Sequence, residues 1–152
     1  MLLLTGFLFM VFIFAALGIL VGSGLAYMDL PSVLLILMAL FFFFFTSKSG
    51  SIIGRYFRTS FRKEHTYTRA ELASLAAALK NTTRFTLAVG GFGFVFGMLG
   101  SLINLENRQM LGPNIAVSLL TLLYAIAIGV FIFFPVQAWA ENRINTMKDE
   151  IN

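Results

Sequence analysis

The amino-acid sequence predicts an all-α integral membrane protein of four transmembrane helices, with one short amphipathic helix outside the membrane. Three observations predict it. Residues 1–28, 30–47, 85–105 and 109–140 contain no Asp, Glu, Lys, Arg or His. Each stretch reaches, or nearly reaches, the 17–25 residues with which a helix crosses a hydrocarbon core of roughly 30 Å. Hydrophobic residues make up 59% of the chain and charged residues 12%, a balance that excludes an ordinary soluble domain. Most of the Lys and Arg fall in a single connector, as expected of a membrane protein with a preferred orientation. Backbone in lipid must satisfy its own hydrogen bonds, which makes helices the economical solution. The 152 residues thus form one membrane domain, with spans near 3–26, 30–47, 85–105 and 113–139, a connector 48–84 and a tail 140–152.

The first span resembles a secretory signal only in its apolarity. It has no Lys or Arg before the apolar run, and that run exceeds the 7–15 residues typical of a signal core. Gly24-Leu25-Ala26 is a poor cleavage site, so the stretch reads as a retained helix. The second span opens with Asp29-Leu30-Pro31-Ser32. Proline fits the first helical turn, and an aspartate there caps free amides at the positive end of the helix dipole. A role for Asp29 in admitting ions is the alternative; capping is the commoner use of the motif. Phe41–Phe45 cover every side of that helix, which suits packing against lipid and neighbours.

The connector carries Lys48, Arg55, Arg58, Arg62, Lys63, Arg69, Lys80 and Arg84 against Glu64 and Glu71. The other two links carry Asp29 alone, or Glu106 with Arg108. By the positive-inside rule the connector is cytoplasmic, and four crossings then leave both termini cytoplasmic. Beside membrane spans, such a basic run reads as topology and anionic-lipid contact rather than as a nucleic-acid site. Thr68-Arg69-Ala70-Glu71 has the form of a capping box, followed by Leu72, Leu75, Ala76 and Leu79 on one helical face. This predicts the short amphipathic helix, lying along the membrane or against a neighbouring subunit. Asn81-Thr82-Thr83 fits the glycosylation pattern, but a cytoplasmic segment is out of reach of that machinery, and the match reads as chance.

The last two spans differ from the first two, which read as apolar all round. In the third, Gly93, Gly97 and Ser101 recur every four residues, with Gly90 and Gly100 beside them and Asn104 extending the strip. Such a strip lets another helix approach closely. The fourth opens at Gly112-Pro113 and places Asn114, Ser118, Thr121, Ala125 and Gly129 on one face. The two faces could pack together, or, repeated around a ring, line a narrow passage in which hydroxyls replace part of an ion's water shell. Residues 113–140 would run about 42 Å as a helix, leaving the membrane near Pro135 and Trp139, with a kink expected at the proline.

Enzyme chemistry has little to stand on. His65 is the sole histidine, cysteine is absent, and no paired carboxylates or phosphate-cradling glycine loop occur. No metal or other cofactor is expected.

Residues 97–101 (Gly-Met-Leu-Gly-Ser) and 111–124 (Leu-Gly-Pro-Asn-Ile-Ala-Val-Ser-Leu-Leu-Thr-Leu-Leu-Tyr) resemble the paired last spans of the MotA/TolQ/ExbB proton-channel superfamily, closest to its flagellar-stator branch, MotA. Phe133-Phe134-Pro135 is similar to the end of the family's fourth span, and Asp29-Leu30-Pro31-Ser32 to the start of its second. The resemblance implies a ring-shaped homopentamer around two copies of a single-span MotB/ExbD-like partner, whose Asp carries the transported ion. It implies ion-pathway roles for Ser101 and Thr121, and coupling or pore-lining roles for Pro113, Asn104, Asn114, Ser118 and Tyr124. Gly93, Gly97 and Gly100 would pack helices. Leu122 stands where sodium-type members carry a second Thr, which favours H+ over Na+ as the ion. The connector is much shorter than the rotor-engaging domain of flagellar stators. The process driven is therefore open between motility, uptake and envelope maintenance. From the residues without the resemblance, a non-conducting four-helix scaffold is the alternative.

Overall fold

The computed structural model describes residues 29–60, 67–103, 105 and 108–149, together with Thr5, Phe7, Leu8, Phe9, Val11, Phe12, Ala15 and Ala16 of the first apolar stretch. Those eight are helical, and Phe9 packs edge-on against Phe131 with ring centres 5.6 Å apart. The rest of the predicted first span, and His65, lie outside the described residues.

The described chain is helical throughout its ordered elements: α1 (Leu30–Ser47), α2 (Ser49–Ser60), α3 (Arg69–Ile103), α4 (Arg108–Ala127), a π-helical stretch (Ile128–Phe133) and α5 (Phe134–Asp149). Three helices among the described residues are long and apolar enough to cross a membrane: Leu30–Ser47, Arg69–Ile103 and the continuous run Gln109–Met147. The last two form an antiparallel hairpin against which α1 and α2 pack.

Asp29 caps α1, its carboxylate accepting the Ser32 N–H at 3.1 Å, with Pro31 in the first turn as predicted. The helix stops at Lys48, which adopts the left-handed conformation at φ 55°. That turn folds α2 back so closely that a Cβ at Gly50 would lie 2.7 Å from Phe44 Cβ. Glycine is needed there for proximity. α2 was not anticipated, because its apolar positions Ile52, Ile53 and Tyr56 are sparse among serines and arginines.

The capping box is present in full. Thr68 N–H donates to Glu71 Oε2 at 3.1 Å and Glu71 N–H to Thr68 Oγ1 at 3.3 Å. The helix it starts is not the short separate element predicted. It runs 35 residues without interruption into the third span, about 52 Å. Nothing between Leu79 and Phe85 breaks a helix: Lys80, Asn81 and Arg84 are adequate formers, and Thr82 and Thr83 donate back to the carbonyls of Ala78 and Leu79. Its predicted apolar face, Leu72, Leu75, Ala76 and Leu79, is buried within the chain against Tyr56, Val136 and Ala140 in one core. Thr82, beside the glycosylation-like Asn81, is fully buried.

α4 starts at Arg108, so Pro113 sits inside the helix rather than opening it. Further on, Pro135 cannot donate to the Phe131 carbonyl and its ring would crowd it. The chain meets this by widening just upstream into the π-helical stretch, where the Phe134 N–H reaches back to the Gly129 carbonyl. Beyond it, Trp139 joins Tyr56 and Tyr67 in an aromatic cluster with centroids 5.6–6.0 Å apart. The Tyr67 hydroxyl also lies 3.0 Å from Thr59 Oγ1. This cluster ties α2 to the hairpin at the charged end of the bundle. Phe41, Phe42 and Phe45 point outward, whereas Phe43 stacks on Phe85 at 4.4 Å.

Candidate ion-pathway site

The site is built where the start of α1 meets the middle of the α3–α4 hairpin. Small residues on α3 let α4 come close. A Cβ at Gly90 would collide with Ala125 Cβ, one at Gly97 with the Ser118 hydroxyl, and one at Gly93 would lie 2.7 Å from Thr121 Cγ2. The predicted strip on α3 and the predicted face on α4 therefore meet each other within one chain. Ser118, Thr121, Ala125 and Gly129 are all buried, and Asn114 is half-buried. A Cβ at Gly100 would meet nothing within 4 Å.

Into this interface α1 adds a polar end. Ser32 Oγ lies 2.7 Å from Thr121 Oγ1, a bond between residues 89 apart in sequence. Ser32 Oγ also donates to Asp29 Oδ2, and the Asp29 N–H donates to the Tyr124 hydroxyl at 3.1 Å. A continuous hydrogen-bonded chain thus runs Asp29–Ser32–Thr121, with Tyr124 holding its outer end against α4. Ser32 is 4% and Thr121 5% exposed, and Asp29 is half-buried.

Thr121 has a second, local outlet, of the kind the other buried hydroxyls of α3 and α4 use. Thr121 Oγ1 is 3.0 Å from the Val117 carbonyl, Ser118 Oγ 2.8 Å from that of Asn114, and Ser101 Oγ 3.0 Å from that of Gly97. Thr82 and Thr86, both fully buried on α3, bond in the same way to Ala78 and Thr82. A hydroxyl that can donate either to its own helix or to a neighbour is a reversible hydrogen-bond switch. Such groups can accompany a proton or a dehydrated cation without fixing it by charge.

Of the residues singled out in the sequence, Thr121, Ser118, Tyr124, Gly93 and Gly97 converge here. Ser101 is buried but stands eight residues beyond Gly93, about 12 Å along the helix from the level of Thr121. Pro113 is exposed, and Asn104 lies outside the described residues. Sequence reading missed Ser32, because α1 looked apolar all round and its opening motif was fully explained as a cap. It also missed Thr82 and Thr86, whose spacing of four from each other and from Gly90 was the available signal. Among the described residues, no three His, Cys, Asp or Glu gather as a metal set.

Residues 37–152, most of the chain, match the model of the MotA/TolQ/ExbB proton channel family. The uncharacterized protein YtxD of Bacillus subtilis (strain 168) is 32% identical over 81 residues, 49% of this chain. The matched stretch spans 30% of the length of that relative. No solved structure matches the chain. With three helices among the described residues long and apolar enough to span a bilayer, and a family match from residue 37 to residue 152, the chain belongs to the MotA/TolQ/ExbB proton channel family.

Proposed function

We propose that this chain is the proton-conducting subunit of a 5:2 rotary membrane motor. Five copies surround two copies of a single-span MotB/ExbD-like protein, and the partner's aspartate carries the proton through the ring. Family membership supports a channel that works with partner proteins and is not an enzyme class. The observation that carries the reading is the buried Ser32–Thr121 hydroxyl pair inside charge-free helices. An unpaired charge would be expensive at that depth, whereas hydroxyls can exchange hydrogen bonds with a visiting carboxyl group. Ser101 and Thr121 are the pathway hydroxyls in this reading. Pro113, Asn104, Asn114, Ser118 and Tyr124 couple or line the passage, and Gly93, Gly97 and Gly100 pack helices. The ring sits in a bacterial inner membrane with both termini cytoplasmic, which agrees with the basic connector. Proton flux into vesicles containing the co-expressed complex tests it. Ser101→Ala and Thr121→Ala each lower flux if the assignment holds; parental flux in both removes it.

A second reading has its own support. The glycine strip is occupied by Ser118, Thr121 and Ala125 of the same chain, as packing in a non-conducting scaffold requires. Native mass spectrometry in mild detergent separates the two readings: a pentamer with two small partners for the motor, a monomer or dimer for the scaffold.

A further inference from the structure

We infer that Asp29 is a positioning residue for ion transfer, setting through Ser32 the direction in which the Thr121 hydroxyl points its proton. The inference rests on the channel function proposed above. It follows from counting protons. A serine or threonine hydroxyl has one proton to give and two lone pairs to receive with, and an ionised carboxylate can only receive. Ser32 Oγ is within bonding reach of both Asp29 Oδ2 and Thr121 Oγ1. Facing a carboxylate, its single proton goes to Asp29. The bond to Thr121 must then be made by the Thr121 proton, drawn away from the Val117 carbonyl 3.0 Å away. Thr121 is left presenting lone pairs, the right polarity to receive a hydrogen bond from a protonated carboxyl group.

The arrangement is rigid enough to impose that direction. Asp29 is tied twice to α4, by its N–H to the Tyr124 hydroxyl and by its side chain through Ser32 to Thr121. Tyr124 and Thr121 are successive in helical phase, so the two ties span one turn of α4. Capping of α1 uses the same oxygen, Oδ2, for the Ser32 amide and the Ser32 hydroxyl, so the two tasks are separated at Ser32 rather than at Asp29. In Asp29→Asn the cap survives, since asparagine caps as well as aspartate, and the capping oxygen still receives the Ser32 hydroxyl. Ser32→Ala keeps the amide and the cap but removes the hydroxyl between Asp29 and Thr121, and the imposed direction is lost.

Two measurements decide it. In vesicles holding the complex with its partner, Ser32→Ala lowers proton flux about tenfold at unchanged protein amount. Asp29→Ala, which removes the acceptor, has the same effect, the conservative Asp29→Asn and Ser32→Thr restore flux, and the Asp29→Ala/Ser32→Ala pair is no worse than either alone. Parental flux in Ser32→Ala or in Asp29→Ala, or multiplying effects in the pair, overturns the inference. The second measurement needs no flux. Asp29 and Asp149 are the chain's two aspartates, so carbon-13 labelling of aspartate yields two carboxyl resonances in bilayer samples. The Asp29 signal, assigned by its loss in Asp29→Asn, shifts in Thr121→Val if the chain connects them. A carboxylate that only caps its own helix does not respond to a change 92 residues away, and an unmoved signal overturns the inference. A parental complex that conducts nothing defeats the proposed function instead, while the resonance still reports on the Asp29–Thr121 link.

Discussion

Thr121 occupies the space that a side chain on Gly93 would fill, with its Cγ2 methyl 2.7 Å from where that Cβ would be. The hydroxyl on the same Cβ lies 2.7 Å from Ser32 Oγ. Packing and the polar site therefore share one residue, and a change on α3 reaches the hydroxyl on α4. Gly93→Ala forces the two helices apart or turns Thr121, at a cost of about 1–3 kcal/mol for overpacking. Gly91→Ala, where a Cβ would meet nothing within 4 Å, is neutral or slightly stabilising. Thermal unfolding in detergent distinguishes them, and equal melting temperatures would refute the assigned contact.

Tyr124→Phe removes the acceptor for the Asp29 amide and leaves the ring in place. The loss is about 1 kcal/mol, the ordinary net worth of a neutral hydrogen bond. Hydrogen exchange at the Asp29 and Ser32 amides should rise, with little change in α3. Unaltered protection there would show that the start of α1 is held by something else.

The π-helical stretch makes a prediction about chain length. A π turn carries extra residue in an α-helix, so deleting Val130, whose side chain is 48% exposed, returns the run to regular α geometry. The Pro135 ring then meets the carbonyl four residues back, costing about 3 kcal/mol. Combining the deletion with Pro135→Ala recovers most of that loss. If the double variant melts no higher than the single deletion, the proline is not the reason for the π turn.

Thr68→Ala removes one half of the capping box and should lower stability by about 1 kcal/mol. Arg55→Ala should do much less. Its 3.4 Å ion pair with Glu71 is made by a side chain 65% exposed, where solvent screens the attraction. Chemical denaturation curves of the two variants give the ranking, and a reversed order would contradict it.

Trp139 is the single tryptophan and stands in the cluster with Tyr56 and Tyr67. Tyr56→Ala opens a cavity beside it by removing a buried ring. Acrylamide quenching of Trp139 should then increase, without loss of helical circular dichroism. Unchanged quenching would place the fluorophore elsewhere.

Much of this was legible in the residues. The capping box, the proline in the first turn of α1, and the apolar face of residues 72–79 depend on neighbours within about one helical turn, and they appear as read. The extent of helices was less legible. Whether the helix begun at Thr68 stops before the membrane depends on the absence of a breaker and on packing against α2 and α5, neither of which periodicity displays. The start of α4 ahead of Pro113 is of the same kind, since a proline signals a boundary without enforcing one.

The candidate site divides along the same line. Charge-free stretches, the small-residue strip on α3 and the hydroxyl face on α4 follow from residue type and a period of 3.6, properties of one helix considered alone. That Thr121 and Gly93 meet, that Ser32 reaches Thr121, and that Tyr124 holds Asp29 depend on which helices lie side by side and at what rotation. Close packing sets that arrangement over the whole bundle at once, so no local stretch of sequence encodes it.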